Sequence, residues 1–321
     1  MTSRLPLFFA ALTAVPGLAQ AAVPDVLTDI PPVQSLVAQV MGDLGQPGIL
    51  LSQGSDPHDF QLRPSQARDL QNANLVFWIG PELEPWLERA IEGIEVKGET
   101  VELLESPGTY RRQFGENDPH DHAHDEHDAH EEAADVHEGE AEAGHMHDGT
   151  DPHAWLDPAN AEAWLDTIAT QLGSADPENA ATYRANADAA KARIEAMDAE
   201  IRAELTPVAE KPFLVFHDAY GYFADHYGLT VAGALSLGDA ATPGAAHLTE
   251  LRKTATESGA LCIFPEAQHD PKMVSQLVQD TPVKLGEALD PSGSSLEYGP
   301  ELYETLMRSM AQKLTSCLSG S

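Results

Sequence analysis

The densest group of metal-binding side chains lies in one acidic segment near the middle of the chain. Eight histidines lie between His120 and His147 among many aspartates and glutamates, and no lysine or arginine occurs between Arg112 and Arg184. Neutral imidazole nitrogens and carboxylate oxygens both bind divalent transition metals, and a packed core would not accommodate so many of them. The segment predicts a protein that handles a metal ion, with zinc as the first choice. The alternative is a disordered acidic segment whose histidines only add solubility.

Three histidines outside this segment share a local setting, because each follows a predicted strand or the turn that leaves one. They are His58 in SDPHDF, His153 in DPHAWLDP and His217 in LVFHDAYGYF. Asp-Pro precedes the first two, and the proline restricts the turn that directs the imidazole. Such histidines are commonly structural when they occur singly, but three in matching settings suit tetrahedral zinc. We expect one metal site, with Asp218 accepting a hydrogen bond from the His217 ring.

The elements that must position these histidines alternate between strands and helices. Short apolar runs predict eight strands, four on each side of the acidic segment: VLTDI, GILLS, LVFWIG, TVELLE, FLVFH, TVAGALSL, LCIFPE and PVKLGEAL. Strands that alternate with helical segments predict an α/β fold in which mostly parallel sheets are flanked by helices. A chain of 321 residues is long enough for two such lobes, each with its own core.

One long helix is expected to join the two lobes. Residues 176–205 are rich in alanine and charged residues, and an Asp-Pro suits the start of a helix. Such a helix would be about 45 Å long, which fits a connection between lobes. A coiled-coil segment is the alternative, although no sustained apolar heptad is visible. We therefore divide the chain into an N-terminal lobe at 22–175, with a mobile loop at 116–150, a linking helix at 176–206 and a C-terminal lobe at 207–321.

The start of the chain predicts export from the cytoplasm. One arginine precedes an apolar run at residues 5–18, and Ala-Gln-Ala at 19–21 is a small-x-small cleavage site. This pattern is typical of a secretory signal peptide, here residues 1–21, that is cleaved near Ala21. An uncleaved membrane anchor is the alternative.

Cysteine content and charge narrow the class of protein further. Cys262 and Cys317 are the only cysteines, and the formal net charge is -34. In an oxidising compartment a single pair is expected to form one disulfide, with a thiolate zinc site as the competing interpretation. The acidic surface argues against nucleic acid as a partner, because a phosphate backbone calls for a basic face.

Four segments carry a family resemblance, together with the cysteine pair and the histidine-rich insertion: PHDFQLRPSQARDL, DPHAWLDPANA, FHDAYGYFADHYGL and LDPSG. The chain resembles the zinc-binding substrate-binding proteins of bacterial ABC transporters, the ZnuA type, over essentially its whole mature length. The resemblance implies two α/β lobes joined by one long helix, with the metal in the cleft between them. Its three ligands would be His58 and His153 from the first lobe and His217 from the second.

The resemblance also implies partners and a location. The transported ligand would be a zinc ion, and the protein would be a periplasmic monomer without enzymatic activity. Its partners would be a membrane permease with its cytoplasmic ATPase and, in addition, a periplasmic zinc chaperone.

The fourth ligand is where this sequence departs from the family pattern. Pro57 stands where some zinc relatives place a carboxylate, and Asp290 in EALDPSG is the nearest match to the acidic ligand of manganese relatives. Water or a side chain of the acidic segment is the alternative for that position. His269 is expected at the surface, with a secondary ligand as the alternative, and His226 and His247 are also expected there.

Two other classes of protein would use the same metal ligands. Three nitrogen donors favour zinc over manganese, whereas copper or nickel would bind at least as tightly. A secreted zinc hydrolase would need an open metal position and a general base, for which Glu266 is the candidate, although a role as a surface acid or as the outer partner of a metal ligand is favoured for it. The sequence contains no His-Glu-x-x-His and no nucleophile in a recognisable elbow. A metal-dependent adhesin or metal buffer is the other alternative to a zinc receptor.

Overall fold

Two four-stranded parallel sheets form the framework of the molecule. The structure is a computed structural model that describes residues 23–114, 149–236, 245–279 and 281–320. The predicted signal peptide and all but the last two residues of the predicted loop at 116–150 lie outside the described residues. The strands are β1 (Val26–Thr28), β2 (Gly48–Ile49), β3 (Leu75–Trp78), β4 (Glu99–Glu102), β5 (Phe213–His217), β6 (Val231–Ser236), β7 (Cys262–Phe264) and β8 (Lys284–Leu285).

The two sheets have the same topology. Their strand orders are β2-β1-β3-β4 and β6-β5-β7-β8, and every pairing is parallel. The predicted α/β class is confirmed, and the second half of the chain repeats the first. In each sheet the order reverses between two adjacent central strands, β1 and β3 or β5 and β7. Ligands bind beyond the carboxyl ends of the strands at such a point.

Helices cover these sheets and connect them. They are α1 (Pro31–Met41), α2 (Pro64–Asn72), α3 (Pro85–Gly93), α4 (Pro158–Ala175), α5 (Ala180–Leu205), α6 (Gly221–Tyr227), α7 (Ala245–Glu257), α8 (Lys272–Val278) and α9 (Leu302–Leu318). Helices α1 to α4 each begin with proline, which suits the first turn because that turn needs no amide donor. None of the helices in the described ranges has the length and hydropathy of a membrane span.

The long helix α5 is present, but it begins four residues later than the sequence predicts. Asp176 ends helix α4, because its amide donates to the carbonyl of Leu172, at 2.8 Å. Pro177 follows in the turn that leads to α5. The Asp176 carboxylate accepts from the Tyr183 hydroxyl in the first turn of α5, at 2.9 Å. The helix has 26 residues and is about 39 Å long.

The buried side of α5 is a regular stripe of mostly apolar residues, which corrects the expectation that this segment lacks a sustained apolar repeat. Its members recur every three or four residues: Tyr183, Ala187, Ala190, Ile194, Met197, Ile201 and Leu205. Two of them are alanines, which the high alanine content of the helix hides. This stripe packs against α1, α4 and α9.

The two sheets share one apolar core through these helices. The largest buried cluster contains Leu36 and Trp164 from the first half of the chain and Phe213 and Leu314 from the second. A large apolar interface of this kind restrains the relative motion of two lobes. The sheets are therefore attached to a common helical layer, and the site between them rests on a firm support.

The predicted disulfide is confirmed, and it ties the last helix to the second sheet. Cys262 in β7 and Cys317 in α9 are bonded, at a sequence separation of 55. Closing a loop of that length stabilises a fold by roughly 4 kcal/mol through the lost entropy of the unfolded chain.

His226 is not the surface residue that the sequence predicts. It lies in α6 with its Nδ1 atom 2.9 Å from Asp157 and its Nε2 atom 2.8 Å from Asp198, and its side chain is 16% exposed. Arg202 and the Tyr227 ring also face it. Burial lowers the pKa of His226, but hydrogen bonds to the two carboxylates outweigh burial and raise it overall. The ring therefore links the start of α4 and helix α5 to α6.

We expect His226→Gln to be less stable than the wild type mainly at acid pH. Because the pKa of His226 is raised by folding, the protonated ring stabilises the fold fully below its unfolded pKa of about 6.5. This contribution is lost as the pH rises through the folded pKa. Denaturant unfolding of both proteins at about pH 5.5 and about pH 8.5 measures the effect. A destabilisation that is equal at both values, or larger at the higher one, would contradict the assignment.

Candidate metal centre

The three predicted histidines come together in one cluster. One ring nitrogen from each of His58, His153 and His217 lies within 4.8 Å of the other two. The Nε2 atoms of His153 and His217 are 3.3 Å apart. Two nitrogen ligands of a tetrahedral zinc ion, each about 2.0–2.1 Å from the metal, lie about 3.3–3.4 Å apart. His153 and His217 therefore have the spacing of two ligands of one tetrahedral ion, and His58 lies close enough to join them.

Strand topology explains how His217 reaches this cluster. It is the last residue of β5, and Glu266 follows the adjacent strand β7. These strands lie on either side of the point where the order of the second sheet reverses, so their carboxyl ends open the crevice. The neighbouring Phe213 and Phe264 are fully buried and anchor the two strands.

Matching turns position the other two histidines. The Asp56 carboxylate accepts from the backbone amide of His58, at 2.9 Å, and the Asp151 carboxylate accepts from that of His153, at 3.0 Å. In each turn the intervening proline fixes the backbone while the aspartate closes it. The two Asp-Pro-His segments thus adopt the same local hydrogen bond, as their shared sequence suggests.

The start of α3 supports the His58 turn. Trp86 donates from its indole nitrogen to the carbonyl of Pro57, at 2.7 Å, and its ring packs on Phe60 with 5.3 Å between centroids. Glu84, immediately before α3, is fully buried beside Asp29, and burial raises the pKa of both carboxyl groups, that of Asp29 to about 7. Asp29 accepts from the backbone amide of Ile79, at 2.6 Å, and so links the carboxyl ends of β1 and β3.

A carboxylate lies beside the Nδ1 atom of each of the two buried histidines, His153 and His217. The Nδ1 atom of His153 lies 2.8 Å from Asp151, and that of His217 lies 2.7 Å from Glu266, which also accepts from the Tyr220 hydroxyl at 3.0 Å. The prediction that Asp218 accepts from the His217 ring is wrong. Glu266 is 49 residues away in sequence, and only the pairing of β5 with β7 brings it there.

These carboxylates decide which ring nitrogen is left for a metal. An imidazole that donates from Nδ1 to a carboxylate presents the lone pair of Nε2. Burial lowers the pKa of His153, and the neighbouring His217 and His58 lower it further, against the opposing effect of Asp151. His153 is therefore neutral near pH 7, which is the form that binds metal.

Asp290 lies outside the histidine cluster. It is buried, and its carboxylate accepts from the backbone amides of Ser294, at 3.1 Å, and Ser295, at 2.9 Å. The side-chain amide of Gln268 donates to it as well, at 3.0 Å, and so does the Ser295 hydroxyl. The carboxylate is thus engaged in holding the loop before α9, which argues against the fourth-ligand assignment.

The remaining histidines have different outcomes. The expectation of a surface position for His269 holds only in part, because its side chain is 22% exposed but lines the same pocket as the cluster and stacks on Phe216 with 4.2 Å between centroids. Its Nε2 atom lies 3.9 Å from Glu266. The side chain of His247 and the histidines between His120 and His147 lie outside the described part of the chain.

Two parallel sheets on a shared helical layer, with three imidazoles converging between them, define a two-lobed metal-binding protein. The family model that matches residues 26–317 is ZnuA, described as the periplasmic component A of a zinc-uptake complex, and the chain belongs to this family.

Individual relatives agree with this membership. The protein of Paracoccus denitrificans named high-affinity zinc uptake system protein ZnuA is 56% identical over 306 residues, which cover 94% of each chain. The protein of that name from Brucella suis biovar 1 is 40% identical, covering 92% of this chain and 91% of its own. A solved structure of a zinc-bound ZnuA deletion mutant has a TM-score of 0.72 at 25% identity, covering 93% of this chain and 99% of its own.

The hydrogen bonds at Nδ1 predict an uncommon tautomer in the metal-free protein. We expect neutral His153 and His217 to carry their proton on Nδ1, because Asp151 and Glu266 accept from that atom. Long-range proton-nitrogen correlation spectra of labelled protein report the tautomer of each ring. Glu266→Ala should change the pattern of His217 and leave that of His153, whereas wild-type spectra with the proton on Nε2 in both rings would contradict the geometry.

Proposed function

We propose that this chain captures one zinc ion through His58, His153 and His217 and delivers it to a membrane permease. The observation that carries the proposal is the cluster itself, in which three imidazole nitrogens lie within 4.8 Å of one another. Membership of the zinc-uptake family supports zinc as the cargo. Three nitrogen donors also favour zinc over manganese, which prefers oxygen.

The fourth position on the zinc ion is assigned to water. Asp290 is engaged by its own loop, and Pro57 provides no side-chain donor. Such a position would also suit a hydrolase, but the candidate base, Glu266, accepts from the His217 ring and the Tyr220 hydroxyl. A general base must be free to take a proton from the attacking water. The arrangement around Glu266 therefore favours a binding protein over an enzyme.

The cellular setting is part of the proposal. The family description and the predicted signal peptide at 1–21 support a periplasmic protein whose signal peptide is removed by cleavage near Ala21. We propose that it acts as a monomer with a permease and its cytoplasmic ATPase, and that a periplasmic zinc chaperone is a further partner. The proposed division of the chain is an N-terminal lobe at 22–175, a connection at 176–206 that contains helix α5, and a C-terminal lobe at 207–321.

The distribution of the ligands suggests how release could follow docking. His217 ends a strand of the second sheet, whereas His58 and His153 precede the long helix α5. Any small displacement between these elements separates the ligands, and the site holds zinc less tightly in that state. Because the two halves share a core, a wide hinge opening is not part of this proposal.

The direct test replaces the ligand from the second half. We expect His217→Ala to weaken zinc binding by more than about a hundredfold, since losing a ligand exceeds the effect of losing its outer partner. Titration in competition with a chelator of known affinity measures the tight site alone. His226→Gln is the matched control, because it alters a histidine of the same half that lies outside the cluster, and it should bind zinc as the wild type does. Unchanged tight binding in His217→Ala would refute the assignment.

The histidine-rich segment is proposed to be a weaker collector of zinc. Its side chains raise the local concentration of the ion near the cluster, aided by their negative charge. Deletion of residues 118–147 should lower the number of zinc ions bound per chain and leave one tight site, as measured by metal analysis and calorimetry. Loss of the tight site would show instead that the segment supplies one of its ligands.

A further inference from the structure

The chain segments on either side of residues 115–148 are paired with each other. Gln113 and Thr150 form an antiparallel bridge, and the Phe114 amide donates to the carbonyl of Gly149, at 3.1 Å. The Asp151 amide donates to the carbonyl of Arg112, at 2.9 Å. We call residues 112–114 and 149–151 the base of the insertion. This base ends two residues before His153.

Helix α6 of the second half holds this base. The Tyr222 hydroxyl accepts from the Arg112 amide, at 2.8 Å, and donates to the carbonyl of Asp151, at 2.9 Å. The Nε atom of Arg112 donates to the Asp225 carboxylate one turn further along α6, at 2.9 Å. Two side chains of one helix thus fix the position of the base relative to the second sheet.

The side chain of Arg112 also reaches the carboxylate that holds His153. Its Nη1 atom donates to Oδ2 of Asp151, at 3.2 Å, while Oδ1 of Asp151 accepts from Nδ1 of His153, at 2.8 Å. Asp151 has no exposed side-chain surface, and that of Arg112 is 9% exposed. The carboxylate therefore lies between the guanidinium and the imidazole, with one oxygen directed at each. A planar guanidinium with several fixed donors suits such a double contact better than an ammonium group.

The start of α6 is shaped to receive the guanidinium. A Cβ atom on Gly221 would lie 2.4 Å from the central carbon of the Arg112 guanidinium and from its Nη1 atom. The absence of a side chain at this position allows the guanidinium to lie against the helix backbone between Asp151 and Asp225. Gly221→Ala is therefore a way to displace Arg112 without removing its charge.

We propose that Arg112 is a positioning residue for His153, acting through Asp151. Through its contact with α6, Arg112 fixes the orientation of the His153 ring relative to that of His217. This inference rests on the proposed zinc site, since it concerns the direction in which one of its ligands points. Arg112 fixes Asp151 from one side, and Asp151 fixes Nδ1 of His153 from the other. The Nε2 atom of His153 then faces His217 across the gap between the two halves.

Arg112→Gln should lower zinc affinity by roughly tenfold, the lower end of the effect seen for outer partners of metal ligands. Cobalt bound in place of zinc should show an altered visible spectrum, because the arrangement of its nitrogen ligands changes. Gly221→Ala should shift both readouts in the same direction. Arg112→Lys should recover part of the affinity, because it retains a charge near Asp151 but lacks the planar double contact.

A double-mutant cycle identifies the path of the effect. If Arg112 acts through Asp151, then Arg112→Gln combined with Asp151→Asn should bind zinc no more weakly than Asp151→Asn alone. Arg193→Gln is the matched control, because Arg193 also links separate elements, Gln39 of α1 and Glu304 of α9, without contacting the carboxylate partner of a histidine. The control should leave affinity and the cobalt spectrum unchanged.

Three results would overturn the inference. One is an Arg112→Gln variant that is less stable to heat but binds zinc and cobalt as the wild type does, since Arg112 would then only stabilise the fold. Another is an additive loss in the double variant, which would exclude a path through Asp151. The third is wild-type behaviour in both Arg112→Gln and Gly221→Ala. Failure of the wild-type protein to bind zinc tightly would instead refute the proposed function.

Discussion

Two buried imidazoles face each other across the join between the halves of this molecule, and a carboxylate holds the far side of each ring. The resulting Nε2 atoms of His153 and His217 are 3.3 Å apart. Two nitrogen lone pairs at that distance repel each other, whereas a divalent cation between them would bind both. Everything that fixes the backbone near either ring therefore contributes to the metal site. The metal site therefore lies where the two halves of the molecule meet.

Residues outside the pocket hold the two halves in position around the site. Helix α5 and its neighbours give the two sheets one continuous core, so the strand ends that carry the ligands cannot drift far apart. The Trp155 indole donates to the carbonyl of Pro291, at 2.8 Å, and the Tyr303 hydroxyl donates to the carbonyl of Trp155, at 2.9 Å. Both contacts tie the His153 segment to the C-terminal part of the chain. His153 is thus held by both halves, although the sequence assigns it to the first lobe.

Local sequence patterns were enough to predict the elements and the three clustered histidines. Each predicted strand corresponds to an observed one, and the central strands β1, β3, β5 and β7 are the short buried apolar runs typical of a parallel sheet. Both Asp-Pro-His turns place their imidazoles as expected. The partners of these rings could not be predicted in the same way. Glu266 was expected as a surface acid or an outer partner of a ligand, but its pairing with His217 depends on strand pairing and leaves no local pattern in the sequence. Arg112 reaches the site through its contact with α6, which leaves no local pattern either. His226 was missed for the same reason, since its carboxylate partners come from two other helices.

One zinc ion is expected to bind where the three imidazoles converge. Anomalous diffraction at the zinc edge, from crystals loaded with one equivalent of zinc, tests it most directly. One strong peak is expected about 2.0–2.1 Å from a ring nitrogen of each of His58, His153 and His217. A strong peak elsewhere, with no density between these rings, would contradict it.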